Sequence, residues 1–214
     1  MNNSIKIKVC GLRDSNNIKQ LADIGIDYMG FIFHPKSPRY AEGFLDKETI
    51  INIPSSITKT GVFVNVSIES VVNTVNNYSL NAIQLHGDES PQYCNYLKSQ
   101  GYIVIKAFRA DEEVIKNTLI NYKTACNFFL FDTPTISYGG SGNKFNWDIL
   151  LKYNVDVPFF ISGGIENSDV EKIKKFPHKY LYGVDINSKF EIYPAFKDVE
   201  KVKVFVNQLK NNKQ

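Results

Sequence analysis

A single (β/α)8 barrel is the fold that this 214-residue chain predicts, on three observations. Eight short runs rich in β-branched and aromatic residues recur along it, and most of the intervals between them carry a helical period. The length suits one sizeable α/β core, so one domain is expected over residues 1–214. Strands alternating with crossover helices form a parallel sheet covered on both faces, and eight such units close on themselves. A doubly wound open sheet is the competing architecture. The first strand leads into Cys10-Gly11-Leu12 and not into GxGxxG, which weighs against a dinucleotide-binding version of it.

In chain order the strands are read at residues 5–9, 27–33, 59–64, 82–85, 102–108, 127–131, 157–161 and 180–184. The first interval places Ile18, Leu21 and Ala22 on one helical face, and the third does the same with Val71, Val72 and Val75. The second interval is the weakest, with only 46–51 helical. Later helices are expected near 89–99, 111–122, 146–152, 167–175 and 198–209. Ser15-Asn16, Ser67, Ser90 with Pro91, Asp111 and Asn167 stand where side chains should cap helix N-termini, and Gly25 and Gly101 where helices should stop. Fraying is expected only at the first few residues and at 210–214.

Composition excludes several functional classes. A hydrophobic fraction of 43%, a charged fraction of 22% and a net charge of +3 argue against nucleic acid or a membrane surface as partner. Cys10, Cys94 and Cys126 form no CxxC and no metal-ligand spacing, so neither a metal nor a disulfide framework is expected, and a reducing, cytoplasmic setting fits. Lys6 and Lys8 interrupt the first apolar stretch, against a signal-peptide core, and no window approaches the roughly 20 apolar residues of a membrane span. Only three of the 25 basic residues are arginine, Arg13, Arg39 and Arg109, each just after an expected strand. A planar, bidentate anion binder is useful there.

Side chains alternate across a strand. If Asp132 points into the barrel, Leu130 and Phe128 do too, while Phe129 and Phe131 face helices. The first strand aligns Lys6, Lys8 and Cys10 opposite Ile5, Ile7 and Val9; the fourth aligns Ala82, Gln84 and His86; the eighth aligns Gly183 and Asp185. A thiol, an imidazole and two carboxylates therefore gather near the carboxyl ends of the strands, with Lys8 one layer below. Barrel enzymes place their chemistry at that end. After Asp132 comes Tyr138-Gly139-Gly140-Ser141-Gly142, read as a mobile cover over the mouth. The inward or outward sense of Lys106 does not follow from parity.

Several motifs recur in order: Lys8-Val9-Cys10-Gly11-Leu12, Gly30-Phe31-Ile32-Phe33 with Ser37-Pro38-Arg39-Tyr40, Gly61-Val62-Phe63-Val64, and Gln84-Leu85-His86-Gly87. They continue with Asp132 and Gly139-Gly140-Ser141-Gly142, Ser162-Gly163-Gly164, and Gly183-Val184-Asp185 with Ser188 and Glu191. This ordered set, spread over nearly the whole chain, resembles the phosphoribosylanthranilate isomerases of tryptophan biosynthesis. The resemblance implies an Amadori rearrangement with Asp132 as general acid and Cys10 as general base, and no cofactor. It implies Arg39 at the substrate carboxylate, the loops of Gly163-Gly164 and Asn187-Ser188 at the phosphate, and His86, Gly140 and Asp185 in the pocket. The partner is a small phosphoribosyl substrate, and the assembly a monomer or homodimer. Two positions depart from the pattern: Lys189 stands where the family has Gly, and Pro194-Ala195 where it has Pro-Gly, so the last loop is expected to be reshaped.

Blander readings compete at several residues. Alone, Cys10 reads as a small buried hydrophobe, and only the flanking motif turns it into a base. Cys94 and Cys126 read as packing residues, His34 and His178 as surface or cap residues, and Arg13 and Arg109 as rim charges. Another phosphosugar barrel enzyme, an epimerase or lyase, would need paired metal-ligand histidines or a Schiff-base lysine. A non-catalytic phosphometabolite binder would have no use for the acid and base.

Overall fold

The computed structural model describes residues 4–132, 146–153 and 155–210. Eight parallel strands, β1 (Lys6–Cys10), β2 (Tyr28–Ile32), β3 (Thr58–Phe63), β4 (Ala82–Leu85), β5 (Ile103–Arg109), β6 (Phe128–Asp132), β7 (Phe159–Ile161) and β8 (Leu181–Ile186), form a closed barrel in sequence order. The ring is sealed where β1 pairs with β8, Lys8 opposite Asp185. This is the expected fold, with the first strand shifted one residue later and the eighth running to Ile186.

The helices between strands are mostly short: α1 (Ser15–Ala22), α2 (Lys47–Ile51), α3 (Ile68–Asn77), α4 (Pro91–Ser99), α5 (Glu112–Asn117), α6 (Leu119–Tyr122), α7 (Ile149–Lys152), α8 (Val170–Lys175) and α9 (Val199–Lys210). The side chains of Ser67, Ser90 and Asp111 accept from the backbone N–H three residues on, as expected of N-caps. Helix α1 is instead capped by Asp14, one residue before Ser15. Asn167 opens a 3-10 turn whose cap is Glu166 in a reciprocal capping box with Asp169. The helix expected over 111–122 is broken at Thr118. The glycine-rich cover, including Gly140, lies outside the described residues.

Two separate apolar cores follow from strand alternation. The larger lies between sheet and helices and takes Ile7, Val9, Ile83, Leu85, Phe129, Phe131 and Val184 from the strands. The smaller fills the barrel with Tyr28, Ile105, Ala107, Leu130 and Phe160, backed by Phe128 and Tyr182. Its rings meet mostly edge to face, Tyr28 to Phe160 and Phe160 to Tyr182 both at 5.3 Å. This plug closes the amino-terminal end and leaves polar side chains to line the other.

Lys106 faces outward. It is buried on the helix side of β5, where its ammonium donates to the carbonyls of Leu85, Gly87 and Ala107 and pairs with Glu89 at 3.2 Å. After β8, a 3-10 turn (Ser188–Phe190) leads into a small antiparallel ribbon of β9 (Glu191–Tyr193) and β10 (Phe196–Lys197). Asn17 of α1 ties this ribbon to the barrel, donating to the Lys197 carbonyl at 2.9 Å and accepting from the Lys197 N–H at 2.8 Å.

Candidate active site

Cys10 is the last residue of β1 and Asp132 the last of β6. Both line one cleft at the carboxyl-terminal mouth. His86, Gly163, Gly164, Asp185, Asn187 and Ser188 line the same cleft, as parity and motif order require.

At the β1 side of the cleft, Lys8 lies fully buried with its ammonium 2.9 Å from Asp185. Burial works against the Lys8 charge, yet Asp185 and Cys10 outweigh it and hold the ammonium above its ordinary value. The chain makes room for this pair by omitting a side chain on the neighbouring strand: a Cβ at Gly30 would lie 2.7 Å from Cys10 Sγ and 3.1 Å from Lys8 Nζ. Burial pushes the Cys10 thiol above its ordinary value, and Lys8, which favours the thiolate, only partly offsets this.

Across the cleft, His86 Nε2 lies 3.5 Å from Asp132 Oδ2, and the Gln84 amide lies 2.9 Å from His86 Nδ1. Gln84 Oε1 is buried and makes no hydrogen bond within the described residues. Asp132 thus ends a polar row, Gln84 to His86 to Asp132, running up from the barrel wall.

Arg39, expected at the substrate carboxylate, is not among the residues that line the cleft, and its fork is taken up by Glu191. Its Nε and Nη2 donate to the two Glu191 oxygens at 2.8 and 2.7 Å. Glu191 also receives Lys197 Nζ at 2.6 Å, and Lys197 Nζ reaches Asn187 Oδ1 at the same distance. Burial would raise the Glu191 carboxyl, but Arg39 and Lys197 hold it below its usual range; burial pulls the Lys197 ammonium down to about 8 in spite of Glu191. Gly11, at φ +77°, lets this cluster close up behind Cys10, since a Cβ there would meet Arg39 Cδ at 2.7 Å and Asn187 Oδ1 at 2.9 Å.

A model of the N-(5'-phosphoribosyl)anthranilate (PRA) isomerase family matches residues 7–208. The chain belongs to this isomerase family. It is 42% identical over 205 residues to the N-(5'-phosphoribosyl)anthranilate isomerase of Parabacteroides distasonis, covering 95% of this chain and 92% of that one. Its fold is similar to a phosphoribosylanthranilate isomerase crystallised with reduced 1-(o-carboxyphenylamino)-1-deoxyribulose 5-phosphate, at a TM-score of 0.80, 28% identity and coverage of 96% and 98%. It is similar also to monomers generated from the dimeric isomerase of Thermotoga maritima, with a TM-score of 0.79, 28% identity and the same coverage. Among the described residues no helix is long and apolar enough to cross a membrane.

Against the isomerase pattern, the two departures resolve differently. Ala195 keeps a left-handed φ of +69°, so the conformation that the family glycine permits survives here on an alanine. Its N–H donates to Glu191 at 3.0 Å. No positive φ falls on Lys189, which lines the cleft mouth within the 3-10 turn. Reading by sequence missed His34, Ser37, Gln84 and Ser162 as lining residues. Gln84 shares the inward face of β4 with His86, so parity held the signal. His34 and Ser37 sit in an irregular loop where no period operates. His178 is half-buried against the Phe159 ring, at 4.8 Å, and not a free surface residue.

Proposed function

We propose that this chain catalyses the Amadori rearrangement of N-(5'-phosphoribosyl)anthranilate to 1-(2-carboxyphenylamino)-1-deoxyribulose 5-phosphate, an aldose-to-ketose isomerisation in tryptophan biosynthesis. Asp132 protonates the furanose ring oxygen as the C1–O bond breaks, and the anthranilate nitrogen takes up the positive charge as an iminium. Cys10, in the thiolate form left when its proton is released to solvent, removes the C2 proton; the enolamine then tautomerises to the aminoketose. The substrate's own nitrogen is the electron sink, so the reaction calls for no cofactor.

Lys8 stabilises the thiolate as it forms. His86 and Gln84 orient Asp132, and Asp185 holds Lys8. The N–H groups around Gly163, Gly164, Asn187 and Ser188, in the loops after β7 and β8, receive the phosphate. Arg39 faces the anthranilate carboxylate. The chain works as a single-domain barrel in a reducing cytoplasm, as a monomer or homodimer.

One observation carries this reading: an acid and a thiol from distant strands open into the same cleft. Steady-state turnover of Cys10→Ala and Asp132→Asn, both folded by circular dichroism, tests it. Each is expected to lose about 10²- to 10⁴-fold in kcat, the share typical of a positioned acid or base. Undiminished turnover in either variant, or failure of the wild-type gene to rescue a tryptophan auxotroph lacking this step, would sink it.

A further inference from the structure

The Arg39 fork does not stand alone. Two of its donors are spent on Glu191, and a one-to-one pair of guanidinium and carboxylate would offer an incoming anion no net charge. Lys197 changes that sum. It is fully buried, touches Glu191 and Asn187, and among the described residues reaches no other carboxylate. Its backbone is fastened on both sides by Asn17. So much anchorage for a lysine with no solvent exposure asks for a role, since burying an ammonium is costly unless its charge is used.

We propose that Lys197 is a positioning residue for the carboxylate end of the substrate: it neutralises Glu191, so that the cluster of two cations and one carboxylate keeps one net positive charge, carried by Arg39, beside the cleft wall at Asn187. Glu191 aims the guanidinium, and Lys197 supplies the charge that Glu191 would otherwise cancel. Asn187 joins this cluster to the cleft lining. This inference rests on the substrate reading above. It goes beyond it in making affinity for the anthranilate carboxylate depend on a residue that never touches the ligand.

The test uses the intact protein and two probes: the reduced product analogue carrying the anthranilate carboxylate, and the same analogue with phenyl in place of carboxyphenyl. In Lys197→Met, Kd for the carboxylated probe and KM for substrate are expected to rise about tenfold, in line with loss of one charge-assisted contact, while Kd for the phenyl probe stays within about twofold. In Glu191→Gln/Lys197→Met, which again leaves Arg39 with a net single charge, the loss is expected to be recovered. A merely structural role would show equal losses for both probes and no recovery, and either result overturns the proposal.

If Lys197→Met does not fold, the wild type still decides. Lys197 is held at about 8 by burial, and the groups around it are Glu191, Arg39, Asn187 and Cys10. Cys10 lies above the ordinary thiol range and Glu191 below the ordinary carboxylate range, so between pH 7 and 9 the Lys197 ammonium is the charge expected to be lost. Kd for the carboxylated probe should rise over that interval while the phenyl probe does not follow; parallel curves overturn the proposal. A wild type that fails to isomerise the substrate at all would instead refute the reading beneath it.

Discussion

At the scale of single residues, the site is a set of charges that tolerate burial only because each has a partner. Lys8 and Asp185 have almost no exposed surface and face each other at 2.9 Å. Replacing Lys8 by Met leaves a carboxylate buried without a counter-ion, and is expected to cost about 3–5 kcal/mol in urea denaturation, partly regained when Asp185→Asn is added. The same change removes the main influence opposing burial at Cys10. Thiolate absorbance should therefore develop at still higher pH in Lys8→Met than in the wild type. The sign is the same for the rate: a base whose pKa is raised reaches its active form later, so the alkaline rise in kcat/KM should also move up in pH. A thiol titration unmoved by Lys8→Met would take Lys8 out of this role. Parity along β1, β4, β6 and β8 made these residues legible as inward-facing before any coordinates. Their protonation was not legible, because the balance between burial and a neighbouring ammonium depends on three-dimensional distance. Arg39 teaches the same lesson, for nothing in sequence spacing pairs it with Glu191, 152 positions away.

At the scale of elements, the mouth of the barrel is built from short pieces that borrow stability from one another. Helix α1 and the β9–β10 ribbon meet through one side chain, Asn17, whose amide satisfies both the N–H and the carbonyl of Lys197. Asn17→Ala would strand two buried backbone groups, at about 1–3 kcal/mol each. The expected result is a lower denaturation midpoint together with a raised KM, because Lys197 and its neighbours lose their anchor. An unchanged KM would separate the ribbon from the site. Strand positions were read to within a residue or two from alternation and β-branched content, and most caps from Ser or Asp before an apolar period. The misses have physical causes. Thr118 breaks the fifth crossover into α5 and α6, and a 3-10 turn replaces the first turn expected at Asn167. Propensity alone is too weak to resolve breaks of one turn when tertiary packing decides them. Lys106 was ambiguous because a buried lysine reads equally well inward or outward until its acceptors, Glu89 and three carbonyls, are in place.

At the scale of the whole molecule, two cores that do not touch through the sheet divide the work. The outer core fastens helices to strands, and the inner plug of Tyr28, Phe128, Phe160 and Tyr182 with Leu130 keeps the strands at their spacing. Phe160→Ala empties the centre of that plug and is expected to cost about 3–5 kcal/mol. Turnover measured well below the lowered midpoint should stay within a few-fold, since no reacting group sits on that layer. A collapse of kcat at full folding would show that the plug also sets the geometry above it. The closed ring was the most legible feature, because eight repeats of strand and helix admit few other arrangements. The ribbon after β8 was the least legible, since its two strands span five residues in all and carry no period.

Cys10 and Asp132 each terminate a strand, so the gap between them belongs to the hydrogen-bonded ring and not to the loops around it. Swapping or lengthening loops at the mouth would then exchange one aminoaldose for another while leaving the proton donor and acceptor where they are. Such a scaffold is evolvable in one direction: new appetites are cheap to acquire, and a new reaction is not.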